Sequence, residues 1–518
     1  MSFSKPNISA ATLTKNRVDI SPTSGLCVSC LDGCPGYCEV GESALKGRDI
    51  LYPKPYGKII SGSEKDYPVD FSHFNIQGSC TKEGEGRGYI DIKEIDISTS
   101  LGEEDRIELK TPFIIGALGS NDIVKENWEH ITVGAAICGT IVIIGGDICG
   151  MDIESEIKDG KIVKSPEMER RIKNFKEWQD SYGNIFVQCT SEDIKLGVPE
   201  YVIERLNIEG IEIKWGQGAS SIYGQNKISS IDDAKELKKR GYTVNPDPED
   251  PIVSEMLRVG AFKEFEINSK NSFIDEEGFL EEVEKLRNIG AKFISLKTGA
   301  YKATDLALAI RCASKAKVDL LSIDGSGGGS GMGPWRMMNE WGIPTVYIES
   351  LLWKYLKRIE EKGWYIPCCA IGGGIILEDQ IYKALAIGSP YIRLVSIGRG
   401  VMTSAMVGKT HGELAKERVR KDIKKYQEII NQSFSCALKL REIYGDKFEN
   451  IPTGAIGLYN YFDRLSTGMK QFLAGVKKDN IKDIKREDLI ALTKESSDVS
   501  GIPYIMDADL EKIEEILS

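Results

Sequence analysis

Eight short runs of apolar and β-branched residues, spaced by longer charged stretches, occupy residues 111–400 and restrict this chain more than any other feature. They are Phe113–Ala117, Thr140–Gly146, Ile185–Cys189, Gly210–Gly216, Phe293–Gly299, Val318–Gly325, Tyr365–Gly374 and Tyr391–Gly398. Apolar runs alternating with helical stretches are the pattern of βα units on a parallel sheet. Helices are predicted over Glu276–Ile289, stopped by Gly290, over Thr304–Lys315, and over Glu378–Ile387, stopped by Gly388. The predicted fold is α/β, a (β/α)8 TIM barrel over 111–405, in preference to an open doubly wound sheet. An irregular Cys-rich N-terminal region (1–110) precedes it and a helical C-terminal appendage (406–518) follows. The stretch 217–274 is too long for an ordinary βα loop and reads as a lid or binding insertion. The length of 518 residues would otherwise suggest several domains.

Composition narrows the chemistry. A net charge of −11 disfavours nucleic-acid or anionic-membrane surfaces. Only His73, His130 and His411 exist, which leaves little material for imidazole metal sites or Ser-His-Asp triads. The N-terminus lacks the apolar core of a signal peptide, and the longest apolar run, Val133–Gly146, is shorter than the roughly 20 residues that span a bilayer. A cytoplasmic location with reduced thiols is expected.

A barrel of this type builds its active site where the strands end. The run ends supply Ala117 and Ser120, Asp147, Gln188, Lys214 with Gln217, Lys297, Asp324, Gly372, Gly373 and Gly374, and Gly398 with Arg399. Three glycine-rich segments follow the sixth, seventh and eighth runs; the first contains Gly327, Gly328 and Gly329. Glycines let backbone amides converge on a phosphate, and Arg399 adds a charged donor, although any one such segment also reads as a plain turn. Lys297 closes an apolar strand, where an ammonium is costly unless it balances a reduced flavin, forms a Schiff base or pairs with a neighbouring Asp. Asp147 and Gln188 read either as site residues or as helix caps.

Cys27, Cys30, Cys34 and Cys38 crowd into twelve glycine-rich residues. Four thiolates at such tight spacing suit an iron–sulfur cluster of the 4Fe-4S type, with zinc or free thiols as alternatives and Cys80 as a spare ligand. The other seven cysteines read as small buried side chains, with a reservation for Cys149 and Cys189 near strand ends.

Taken in order, TPFIIGALGS, AAICGTIVIIGGDICG, IEGIEIKWGQGAS, ISLKTG, LLSIDGSGGGSGMGP and the loops at Gly372–Gly374 and Gly398–Gly400 resemble the FMN-binding synthase domain of glutamate synthases, including single-chain related proteins. Tyr459–Phe462 resembles a further segment of that family. The resemblance implies FMN held by the late glycine loops and by Ala117, Ser120, Gln188, Lys214, Gln217, Lys297 and Arg399, with Lys297, Asp147 and Lys214 as catalytic residues. It departs in three respects. The segment VMTSAMVGKTHGEL directly after Gly400, where the family has its 3Fe-4S motif, holds no cysteine, no glutaminase domain precedes the barrel, and Asp147 and Ser220-Ser221 replace a Glu and a Lys-Pro.

The resulting expectation is an FMN-dependent iron–sulfur oxidoreductase. The N-terminal cluster passes electrons to FMN, and a hydride goes to a small substrate such as a 2-oxo acid imine. Ferredoxin or a reductase subunit is the expected donor, and homo-oligomerisation is left open. The alternatives are a flavin-dependent non-redox isomerase and a non-catalytic electron-transfer subunit.

Overall fold

The computed structural model describes residues 39–47, 67–78, 90–102, 106–216, 226–268, 275–326, 341–419 and 422–518. Cys27, Cys30, Cys34, Cys38, Cys80, Gln217, Ser220, Ser221, Gly327, Gly328 and Gly329 lie outside the described residues.

Each of the eight runs forms a strand: β1 (Phe113–Leu118), β2 (Ile141–Ile144), β3 (Asn184–Cys189), β4 (Gly210–Lys214), β5 (Phe293–Thr298), β6 (Leu320–Asp324), β7 (Cys368–Gly372) and β8 (Ile392–Ile397). Every strand pairs in parallel with the next, and β8 returns to β1 to close the barrel. The expected helices are present over Glu276–Asn288, Ala303–Lys315 and Glu378–Gly388. Apolar residues on both strand faces explain the continuous runs, because one face meets the helices while the other fills the barrel.

The lower interior is apolar and dense: Ile114, Ile143, Phe186, Phe293, Leu320, Ala370 and Leu394 form one buried cluster. Phe186 and Phe293 stack at 5.9 Å across β4, where Gly210 leaves the space that a Cβ would contest with the Phe186 ring. The region expected to be irregular contributes here. A hairpin of Thr99–Leu101 and Ile107–Leu109 adds Leu101, Ile107 and Leu109 to the same cluster and plugs the N-terminal end. Short β-branched segments of this kind carry too little periodicity to be read in isolation.

Within the 217–274 insertion, the described residues 226–268 form a folded unit rather than an extended loop. Its central strand Phe265–Asn268 is flanked by Asn226–Ile228 and Thr243–Asn245, with helices Ile231–Lys239 and Pro251–Arg258. Ala234, Leu237, Tyr242, Val253, Phe265 and Ile267 give it a core of its own.

Four helices tie the ends of the chain to the barrel: α1 (Glu39–Lys46), α2 (Asp122–Cys138), α3 (Arg399–Val419) and α4 (Thr453–Gly475). The first starts immediately after Cys38 in the sequence. The third starts at the end of β8 and continues through residue 405. Gly408 and Gly412 of α3 face Gly454 and Thr453 of α4 so closely that a Cβ would collide with the opposite helix. Asn460 of α4 donates to the carbonyls of Ala44 and Leu45 at 2.8 and 2.9 Å, anchoring α1. Phe462 meets Phe113 of β1 edge-on at 5.5 Å, and the Tyr461 hydroxyl donates to the Ile376 carbonyl. Beyond α4, a strand at Leu489–Ala491 pairs antiparallel with Phe74–Ile76, so the tail is not purely helical.

Candidate functional site

Register decides which strand residues share a level. Gln188 of β3 is opposite Glu212 of β4, which is opposite Ser295 of β5. One step nearer the C-terminal end, Lys214 is opposite Lys297, which is opposite Ser322 of β6. Alternate residues of a strand point to one face, so Gly210, Glu212 and Lys214 follow one another up the barrel interior. Polar residues therefore replace the apolar layers toward the mouth.

Lys297 is buried at 1 % exposure, and its ammonium lies 2.7 Å from Asp324 Oδ1 and 3.1 Å from Ser322 Oγ. Of the roles open to this lysine, the ion pair with a neighbouring Asp is present. It leaves an ammonium on the floor of the mouth whose charge is largely offset. Gly372 leaves room for the Asp324 carboxylate, which a Cβ there would strike. Lys214 is half-buried, and its side chain makes no hydrogen bond or ion pair among the described residues. Burial lowers its pKa, against the pull of Asp147, Asp193 and Glu212.

Asp147 ends the β2 connection in the left-handed region (φ 67°) and is buried. Its Oδ1 accepts from Thr190 Oγ1 at 2.9 Å and from the Tyr242 hydroxyl at 3.3 Å, while its amide donates to Asp193 Oδ2 at 2.8 Å. It thus joins a carboxylate pair and does not cap the following helix with its side chain. Burial and the neighbouring Asp147 raise the Asp193 carboxyl to about 7. Tyr242 comes from the insertion. Asn226 and Arg240 dock the same unit: Asn226 donates to Ser120 Oγ at 3.0 Å, and Arg240 to the Gly150 and Asp152 carbonyls at 2.9 and 2.8 Å. Residues 226–268 thus lie against the segments that follow β1 and β2.

On the opposite side, Gly373 and Gly374 adopt φ of 126° and 78°, and the Thr345 hydroxyl lies 2.8 Å from the Gly373 carbonyl. Close approach of Thr345 to Gly325 and Gly373 explains why these positions are glycines. At Gly119 and Gly398 an added Cβ would meet nothing within 4 Å, so both border open space. Arg399 begins α3 beside Gly398; burial pulls its pKa down to about 10, and Asp324 opposes that shift. Tyr67 reaches this side of the mouth, with its hydroxyl 2.9 Å from Ser326 Oγ. Ala117 is half-buried and packs against the interior cluster.

The structure thus joins Gln188, Lys214, Lys297, Asp324 and Arg399 around one end of the barrel, with Asp147 and Ser120 on the insertion side. Strand-end inspection missed Glu212, Thr190, Asp193 and Tyr242. Glu212 carried a legible signal, its period-2 spacing from Gly210 and Lys214, whereas Tyr242 carried none. Cys149 and Cys189 are buried with thiols pushed up by burial, which makes them packing residues. Among the described residues no group of three or more His, Cys, Asp or Glu side chains is placed to hold a metal, and no helix is long and apolar enough to cross a membrane.

Residues 267–410 match the family described as the conserved region in glutamate synthase. The match spans β5 to β8 with Lys297, Asp324 and Arg399, so this part of the chain is similar to the conserved region of glutamate synthase. Among curated proteins, the chain is 27 % identical over 203 residues to the glutamate synthase large subunit-like protein YerD of Bacillus subtilis, covering 38 % of this chain and 34 % of the relative. It is 23 % identical over 330 residues to an archaeal glutamate synthase [NADPH] of Archaeoglobus fulgidus, covering 62 % and 53 %. The chain spans between about a third and a half of the length of these relatives. Solved structures with similarity include the flavin-binding domain of baker's yeast flavocytochrome b2 (12 % identity, TM-score 0.45, covering 81 % of this chain and 76 % of that one). A soluble mutant of (S)-mandelate dehydrogenase from Pseudomonas putida is also similar (13 % identity, TM-score 0.43, covering 81 % and 88 %).

Proposed function

Because residues 267–410 carry the conserved region of glutamate synthase, we propose that this protein is an FMN-dependent oxidoreductase whose flavin occupies the C-terminal mouth of the barrel. The observation that carries the reading is the set of polar side chains at the mouth. The buried Lys297–Asp324 pair, the Gln188 amide, the Lys214 ammonium, unpaired among the described residues, and the Arg399 guanidinium surround a mouth bordered by open space at Gly119 and Gly398. Cations and neutral amides facing space of this kind suit a planar, hydrogen-bonding ring with a phosphate tail.

FMN bound there would supply hydride chemistry. The chain's own residues would do the rest. Arg399 and the backbone at Gly373, Gly374 and Gly398, with Gly327, Gly328 and Gly329, would hold the phosphate. Lys297 would set its ammonium against the electron-rich edge of the ring, with Asp324 limiting its charge. Ala117, Ser120, Gln188 and Gln217 would line the ring. Lys214 would attract a substrate carboxylate, and Asp147 would accept a hydrogen bond from its nitrogen. These roles fit a small substrate such as a 2-oxo acid imine.

Electrons would enter from a ferredoxin or reductase through an iron–sulfur cluster on Cys27, Cys30, Cys34 and Cys38. The sequence position of these residues supports that route, since the residue after Cys38 begins a helix packed on α3 and α4, the helices beyond β8.

The test is anaerobic purification followed by absorbance, FMN release on denaturation, and iron, sulfide and zinc assays, then a screen of 2-oxo acids with ammonium. Protein that holds no flavin under these conditions sinks the proposal. Cys27→Ser and Cys34→Ser are expected to abolish donor-dependent reduction while FMN stays bound; zinc without iron removes the cluster from the route.

A further inference from the structure

Glu212 lies at 0 % exposure inside the barrel, one level below Lys214 and Lys297. Its Oε1 accepts from Gln188 Nε2 at 2.7 Å, and its Oε2 accepts from Ser295 Oγ at 3.0 Å. A buried carboxyl is costly, and packed apolar side chains at such a level are often as stable or more so. The layer beneath, with Phe186, Phe293 and Leu320, is apolar in this way. A carboxyl placed between an amide and a hydroxyl, directly under two lysines, therefore points to a function at the level above it.

The geometry indicates what that function is. With its nitrogen held by Glu212, the Gln188 amide keeps its carbonyl oxygen free, so the residue offers an acceptor to whatever occupies the mouth. Lys297 already shares its charge with Asp324, and Lys214 has no partner among the described residues. A carboxylate beneath them reduces the net positive field in a region of low dielectric.

We propose that Glu212 is a positioning residue of the flavin site: it fixes the Gln188 amide as an acceptor for the ring and supplies the counter-charge that restrains Lys297 and Lys214. This rests on the FMN reading above. Burial raises the Glu212 carboxyl pKa, while Lys297, Gln188 and Ser295 oppose the rise and Asp324 adds to it. The carboxylate is thus fully formed only at higher pH. Its charged neighbours are Lys297 on β5, Asp324 on β6 and Lys214 on its own strand.

The experiment measures the reduction potential of the bound FMN from acid to alkaline pH, and the FMN dissociation constant, in the wild type, in Glu212→Gln and in Glu212→Ala. Removing the negative charge is expected to shift the potential to more positive values, with the difference growing as pH rises and vanishing where the wild-type carboxyl is protonated. Glu212→Gln keeps an acceptor for Gln188, so its FMN affinity is expected to change little; Glu212→Ala, which removes that acceptor, is expected to weaken FMN binding on the order of tenfold, the equivalent of one buried hydrogen bond. A Glu212→Gln variant whose potential is unmoved or falls, or a Glu212→Ala variant that binds FMN with wild-type affinity, overturns the role of Glu212 and leaves the flavin reading standing. A wild type that takes up no FMN overturns both. Should Glu212→Gln not fold, Ser295→Ala removes only the donor to Oε2. It is expected to move the potential the same way by less, and an unmoved potential there overturns the proposal.

Discussion

The hydroxyl of Tyr242, carried by the insertion, lies 3.3 Å from Oδ1 of Asp147 at the end of β2. The two residues are 95 positions apart, and both are buried. Through this contact the insertion is part of the wall of the mouth, and the candidate substrate-side carboxylate is held by a unit that ordinary barrel connections lack.

Tyr242→Phe keeps the ring that packs in the insertion core and deletes only the hydroxyl. The expected cost is about 1 kcal/mol of unfolding free energy, as for one buried hydrogen bond. Faster hydrogen exchange is expected across 226–268 and the segment 147–155, measured by mass spectrometry. Exchange unchanged in both segments would show that the contact does not dock the insertion.

Asp193 makes stability depend on pH in a stated direction. Its folded carboxyl titrates near 7, raised by burial and Asp147, whereas an unfolded Asp titrates near about 3.9. The folded state holds the proton more tightly, so this contribution is complete below about 4 and is lost as pH rises through 7. The wild-type melting temperature is therefore expected to fall more steeply between pH 5 and 8 than that of Asp193→Asn. Parallel slopes in the two proteins would refute the assignment.

Lys297→Ala removes the ammonium that pairs with Asp324, and breaking a buried pair from one side costs about 3–5 kcal/mol. Adding Asp324→Asn is expected to recover most of that loss in denaturant melts. FMN affinity is expected to stay impaired in both variants. Full recovery of FMN binding in the double variant would mean the ammonium serves only the ion pair.

His130 caps a helix that belongs to another part of the chain. Its Nδ1 accepts from the Gly454 amide at 3.0 Å, in the first turn of α4. Burial, then the charges of Lys409 and Lys416, hold its pKa down to about 4. The neutral ring is the cap, so its contribution is present above about 6.5 and is lost as pH falls toward 4. His130→Ala is expected to cost about 1 kcal/mol near neutral pH and to flatten that acid limb. Equal acid sensitivity in variant and wild type would count against the cap.

The barrel was legible because each strand must satisfy two apolar surfaces, which writes a continuous run into the sequence, and because glycines mark where helices stop. That Lys297, Gln188, Lys214 and Arg399 gather at one end of the barrel was legible for the related reason that strand ends are the mouth of such a barrel. The spacing of Glu212 from Lys214 put it on the interior face of its strand, but its partners depend on the register that sets it between Gln188 and Ser295.

Periodicity and punctuation along the chain thus determined the eight strands, their parallel order and the end of the barrel at which polar residues gather, since these follow from local burial. Only the tertiary structure decided that Asp324 neutralises Lys297, that Tyr242 holds Asp147, and that a hairpin before β1 plugs the floor. Those contacts join residues tens of positions apart through strand register and docking, and no local pattern of side chains encodes which distant partner will fill a given space.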